Sequence, residues 1–196
     1  GDGDLDVIVA FSFSDTVRKE PVTGRVYVAI SRSNDRQPPI RQASPTGAPL
    51  FGVGVENLAP GAEVRFSPAT EGYPVATLGA LPAGEYWVQP FVNVFTRFPR
   101  ADGKTVWLHM DQWEGQNWKT SPGNLFGDPV KVRVEPGKAA PIKLVADKVI
   151  PPIAPIPDTA QAKRFKIQSD ILSKWWGHPI YLGATVLLPR DYEKKF

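Results

Sequence analysis

The chain holds two histidines, His109 and His178, and no cysteine. Thiol nucleophiles, disulfides and thiolate metal sites are therefore excluded. A nucleophilic relay has to combine a serine with one of the two imidazoles and a carboxylate. His109 lies in WLHMDQWEG, two residues before Asp111. On a strand the two would share a face and could touch; the plainer alternative is a polar loop residue. His178 precedes Pro179 and reads as part of a turn. A zinc site needs about three ligands at reachable spacing, and two distant histidines do not supply them. Asp2, Asp4 and Asp6 alternate with a calcium-like spacing. No second copy follows, although repeats of that kind come in arrays, so a solvated strand edge is the simpler assignment. The sequence thus assigns no catalytic, cofactor-binding or metal-ligating residue.

Tryptophan supplies the other candidate surface. Trp107, Trp113 and Trp118 are interleaved with Asp111, Gln112, Glu114, Gln116 and Asn117. Flat ring faces stack on sugar rings while amides and carboxylates bind hydroxyls, so the stretch resembles a carbohydrate platform. The favoured alternative is that these rings plug one end of the fold or pack on another domain, because aromatics dominate interfaces too. Trp175 and Trp176, in SKWWGHP, are expected to pack against a partner domain. Left exposed, they would promote association with a second copy of the chain.

The elements that must position these residues read as strands. Residues 5–13 (LDVIVAFSF) alternate with a period of two. Residues 24–31 (GRVYVAIS) are β-branched and aromatic. Residues 34–49 hold four prolines and read as a long surface loop, followed by a strand over 51–58 softened by Gly52 and Gly54. A short strand is predicted over 62–66. The stretch from Leu78 to Tyr86 contains L-P-x-G-x-Y, a rhythm that resembles the tyrosine corner of immunoglobulin-like sandwiches. The strand it opens runs on to residue 98, and an excursion follows over 99–128. Residues 130–134 (VKVRV) and 142–145 (IKLV), joined by EPGKAAP, are predicted to form a hairpin.

Composition agrees with this pattern. Seventeen glycines and 21 prolines in 196 residues punctuate the chain too often for long helices. The expected fold is all-β, an immunoglobulin-like β-sandwich with a C-terminal extended strand tail. Residues 161–196 carry seven basic and three acidic side chains, which gives that stretch +4 and leaves −1 over residues 1–160. The body lacks the basic stripe that nucleic acid requires, so no nucleic-acid partner is expected. No apolar run approaches the ~18 residues of a membrane helix. The opening at Gly1 reads as a mature or cloned start.

Residues 151–157 (PPIAPIP) form a stiff polyproline spacer. The expected organisation is a β-sandwich over 1–150, a Pro-rich linker over 151–160 and a tail over 161–196. That tail ends in YLGATVLLPRDYEKKF. With Val186, Leu188, Pro189 and Tyr192 it resembles the entry to the esterase family of α/β-hydrolases that includes enterochelin esterase-like and feruloyl esterase-like enzymes. The family's opening is similar: a strand, V-x-L-P-x-x-Y, then a short polar turn, then a buried strand ending in a His-Gly oxyanion loop. The resemblance covers about the last 30 residues. It implies a serine esterase as the whole protein and a non-catalytic N-terminal accessory domain as this part. The family's nucleophile sits in a G-x-S-x-G elbow, and no such pentapeptide occurs here. The chain is therefore expected to be inactive alone, with a following hydrolase domain, or a second copy, as its partner. A secreted or periplasmic bacterial setting fits a cysteine-free chain of this kind. The alternative is a free-standing carbohydrate-binding or adhesion module.

Overall fold

The computed structural model describes residues 5–112 and 115–192. Strand β1 (Val7–Phe13) buries Val7, Val9, Phe11 and Phe13 and leaves Ile8, Ala10 and Ser12 half-buried, as a period of two dictates. It pairs in parallel with β11 (Ala140–Ala146), Val7 opposite Ala140 and Phe13 opposite Ala146. On its other edge it pairs antiparallel with β4 (Val64–Phe66). These three strands make the first sheet.

The second sheet is larger. Its order is β12 (Lys148–Val149), β9 (Leu125–Phe126), β6 (Gly84–Val94), β2 (Val22–Ser31), β3 (Leu50–Leu58) and β5 (Gly72–Tyr73), with β10 (Val130–Val134) also paired to β6. Val26, Val28 and Ile30 of β2, Phe51 of β3, Tyr86, Val88 and Val92 of β6, and Val134 of β10 point to one side. There they meet β1, β4 and β11 in a single cluster, with the Phe11 and Phe66 rings 6.1 Å apart. Two β layers sharing one apolar interior make an all-β sandwich. Each fully buried phenylalanine stabilises this interior by roughly 1.5–3 kcal/mol relative to an exposed one.

The hairpin predicted for residues 130–145 does not form. β10 joins the second sheet through β6 while β11 joins the first through β1. The turn at Gly137 (φ 71°) therefore carries the chain from one layer to the other. Alternation shows which side of a strand is inward, and β11 buries Ile142, Leu144 and Ala146 in turn while β10 turns Val132 and Val134 inward. It does not show which strand lies alongside. The loop predicted for 34–49 also contains a helical turn, α1 (Pro39–Gln42), which starts on a proline and buries Pro39 and Ile40. Proline at the first helical position loses nothing, because its missing N–H has no partner there.

The tyrosine corner is present. Tyr86 Oη donates to the Pro82 carbonyl at 2.5 Å, and Leu78 and Leu81 are buried behind it. The Arg32 guanidinium lies 4.1 Å from the Tyr86 ring centroid. Gly84 (φ 147°) has no room for a side chain, since a Cβ would come within 2.2 Å of Arg32 Nη1. Burial pushes the Tyr86 phenol above its ordinary pKa, with the Arg32 charge pulling the other way.

The chain divides into two compact units: Gly1–Thr96 with Leu108–Ile153, and Arg97–Trp107 with Ala154–Phe196. The first is the sandwich. The second holds most of a small ribbon, β7 (Thr96–Pro99) and β8 (Thr105–Leu108), together with β13 (Ala162–Gln168), α2 (Asp170–Trp176) and β14 (Tyr181–Leu187). β13 and β14 pair antiparallel from Ala162–Leu187 to Gln168–Tyr181. Ser169 caps α2 by accepting the Leu172 N–H, and Gly177 in the left-handed region ends it. No helix among the described residues is long and apolar enough to cross a membrane.

Tyr86→Phe removes one hydrogen bond and no packing, so urea unfolding should show a loss of about 0.5–1.5 kcal/mol. Phe11→Ala, which empties the centre of the sandwich, should cost about 3–5 kcal/mol in the same measurement.

Candidate functional site

Strand β6 is flanked on both faces. Outward from the core it presents Trp87, Gln89, Phe91 and Asn93, of which Gln89, Phe91 and Asn93 are buried. A second small cluster of Ala29, Ile40 and Phe91, with Tyr27, Leu50, Trp118, Phe126 and Ile150 around it, covers part of this outer face. The polar groups under the cover are satisfied. Gln89 Oε1 accepts the Ile40 N–H and its Nε2 donates to the Gly127 carbonyl, both at 3.0 Å. Asn124 Nδ2 donates to Asn93 Oδ1 at 3.1 Å and to the Trp118 carbonyl at 2.7 Å, and its Oδ1 accepts the Val94 N–H at 2.9 Å.

This network holds His109. Its Nδ1 lies 3.2 Å from Asn93 Oδ1, a hydrogen bond when Nδ1 carries the proton. His109 follows β8 rather than lying on it, so the shared strand face with Asp111 does not arise. His178 sits just past the end of α2, with Nδ1 3.4 Å from the carbonyl of Pro179. Among the described residues no group of three or more His, Asp or Glu side chains is placed to hold a metal ion. Asp2 and Asp4 lie outside the described residues, as does Trp113.

The remaining tryptophans fall into different settings. Trp118, in a 3-10 turn at Trp118–Thr120, stacks on Tyr27 with centroids 4.8 Å apart and planes at 25°, and meets Phe91 edge-on at 5.5 Å. Trp107 is on β8 and exposed. In the second unit, Trp176 packs on Phe98 of β7 at 5.8 Å and Trp175 lies under the Arg100 guanidinium at 4.7 Å. Both rings were expected to pack on a partner domain; here each also packs on residues of or beside the β7–β8 ribbon of the same unit. Trp175 still leaves half of its surface (52%) exposed.

Beside Trp118 the cover over the second sheet stops, leaving an open groove of about 490 Å³. Its floor follows from strand register. Tyr27 of β2 faces Gly52 of β3, and Leu50 of β3 faces Tyr73 of β5. Gly52 lets the Tyr27 ring and the Arg25 guanidinium lie close over the strand, since a Cβ there would press into the Tyr27 ring at 2.8 Å and Arg25 Nη2 at 3.1 Å. Tyr73 is 63% exposed at one rim. Arg25, Glu71 and Lys119 bring charge to the same groove.

Lys119 Nζ donates to the Ala43 carbonyl. Burial pushes its ammonium below the ordinary lysine range, and the nearby Arg41 charge adds to this. Among the described residues no ion pair engages Arg25, Arg41 or Lys119. A smaller hollow of about 290 Å³, lined by Ile40, Phe91, Phe126 and Ile150, adjoins Lys119. The arrangement can hold a ligand.

Sequence reasoning singled out Trp118 but missed Arg25, Tyr27, Glu71 and Tyr73. One signal was available: Arg25 and Tyr27 alternate with Val26 and Val28, and Gly52 and Gly54 alternate in the same way. Only the pairing of β2 with β3 brings the two patterns together. Comparison with known proteins finds no matching family model, no matching curated protein and no matching solved structure.

Asn124→Ala strands the Val94 N–H and removes the tie to the Trp118 carbonyl. The expected loss is about 1–3 kcal/mol per buried group left unpaired, measured by urea unfolding, with a shifted Trp118 indole resonance in the folded protein.

Proposed function

We propose that this chain is a non-catalytic accessory region of a secreted or periplasmic bacterial serine esterase, and that its second unit packs on the hydrolase domain of that enzyme. The observation that carries the reading is the two-sidedness of the β13–β14 ribbon. Cross-strand partners share a face, so Phe165, Ile167, Leu182, Ala184 and Val186 stand together with Lys163 at the edge, and Arg164, Lys166, Gln168, Gly183 and Thr185 lie on the opposite side with Ala162, Tyr181 and Leu187. The four large apolar side chains of the first set are 50%, 63%, 53% and 42% exposed. A two-stranded ribbon is marginal in water and needs a third strand or a packed helix. An apolar patch of this kind marks an interaction surface.

Two further points favour the esterase. The Val186, Leu188, Pro189 and Tyr192 pattern falls on the end of β14 and on a turn closed by the Tyr192 N–H and the Pro189 carbonyl, 3.2 Å apart. This is the strand-then-turn order that the resemblance implies. The imidazole nearest a carboxylate in sequence, His109, is engaged with a buried amide, as suits a structural residue.

The whole chain should hydrolyse p-nitrophenyl acetate no faster than buffer, and its gene should read on past Phe196 into a Gly-x-Ser-x-Gly hydrolase. Ester turnover that His109→Ala abolishes, or a stop codon directly after Phe196, overturns the proposal.

A further inference from the structure

We propose that the groove on the outer face of the second sheet binds an acidic oligosaccharide, taking a uronic acid ring against its aromatic side chains with the carboxylate between Arg25 and Lys119. The inference concerns the sandwich alone and does not depend on the esterase reading.

Three features of the groove restrict the ligand. Tyr73 is an exposed ring at the rim, and Tyr27 and Trp118 form a stacked pair along the floor. The exposed Tyr73 ring can take a flat, partly apolar face, which the axial hydrogens of a pyranose provide, while the stacked Tyr27 and Trp118 rings give the floor an apolar body. Gly52 opposite Tyr27 lets that ring and the Arg25 guanidinium lie close over the strand in the groove. An open trough of about 490 Å³ lies within the size range of ligand sites.

Charge supplies the second restriction. Arg25 and Lys119 line the groove and Arg41 stands close to Lys119, yet no carboxylate of the described residues pairs with any of them. A half-buried ammonium beside a like charge is relieved by an arriving anion. Hydrogen bonds between an ionised donor and a carboxylate are about twice as strong as neutral ones.

Glu71 is the third. A carboxylate in the same groove accepts hydroxyl protons but repels a second negative charge. The set therefore suits a ligand with one anionic group per ring and many hydroxyls. It disfavours a polyphosphate backbone, which would ask for a basic stripe. The balanced charge of residues 1–160 agrees.

The test uses the whole chain and trigalacturonate as the probe, followed by titration calorimetry and by the Trp118 indole resonance. Binding should be measurable, and cellotriose, which lacks the carboxylates, should bind at least about tenfold more weakly. Arg25→Met and Tyr73→Ala should each weaken trigalacturonate binding about tenfold or more. Arg133→Met, on exposed β10, should leave it unchanged. Near-ultraviolet circular dichroism checks that each variant keeps the fold. Absence of binding, equal affinity for the two trisaccharides, or variants at Arg25 and Tyr73 that bind like the parent would each overturn the proposal. Tighter binding of a single-stranded oligonucleotide would overturn it as well.

Discussion

Strand β6 is buried on both faces, and most of the sandwich follows from that. Its inner side chains, Tyr86, Val88 and Val92, complete the apolar interior. Its outer ones, Gln89, Phe91 and Asn93, lie beneath a second cover built from α1 and the turn at Trp118–Thr120, with Phe126 of the neighbouring β9 beside Phe91. A sheet that had only to close one core would leave that outer face wet and charged. Here two amides are enclosed instead, and an enclosed amide is costly unless every donor and acceptor is met. Gln89 ties α1 to the segment before β10, while Asn93 and Asn124 tie the Trp118 turn to the end of β6. The irregular segments 34–49 and 115–128 are held because those amides require partners.

The groove is the place where this cover ends. Over β6 and the adjoining part of β2, aromatic and aliphatic side chains meet the cover directly. Over β3 the outward residues are Leu50, Gly52 and Gly54, and two of these have no side chain. The cover therefore rests on Tyr27 and Trp118 and leaves open ground between them and Tyr73. Glycine in a strand weakens it, since it loses entropy and packs nothing. Gly52 gains its sense here, because its missing side chain lets Tyr27 and Arg25 lie close over the strand beside the groove.

The layers were readable from the sequence wherever burial is one-sided. Val7, Val9, Phe11 and Phe13 announce an inner face, and Val26, Val28 and Ile30 announce another. The corner at Tyr86 was readable because Pro-x-Gly and tyrosine form a local unit whose hydrogen bond spans four residues. Partners were not readable. VKVRV and IKLV look like two arms of a hairpin, but β10 finds β6 and β11 finds β1, strands more than 40 residues away in the chain. The groove was hidden for the same reason. Arg25, Gly52, Tyr73 and Trp118 come from four separate stretches, and only sheet register makes them neighbours. Trp118 was noticed because tryptophan is rare enough to draw attention without any knowledge of its surroundings.

The two units differ in how far they satisfy themselves. The sandwich encloses Phe11, Phe13, Phe51, Phe66 and Phe91 almost completely. In the β13–β14 ribbon no residue is fully buried, although Phe165, Ile167, Leu182, Ala184 and Val186 recur on one face. Apolar residues recurring on one face without burial mean that the sequence specifies an inner face for which these strands alone provide no interior. Lys166 over the Tyr181 ring, 4.5 Å away, decorates the other, polar side and adds little to stability at an exposed site. Backbone pairing and caps at Ser169 and Gly177 define the shape of the ribbon. Its stability has to come from whatever covers Phe165, Ile167, Leu182 and Val186, because apolar surface stabilises a fold only when it leaves water.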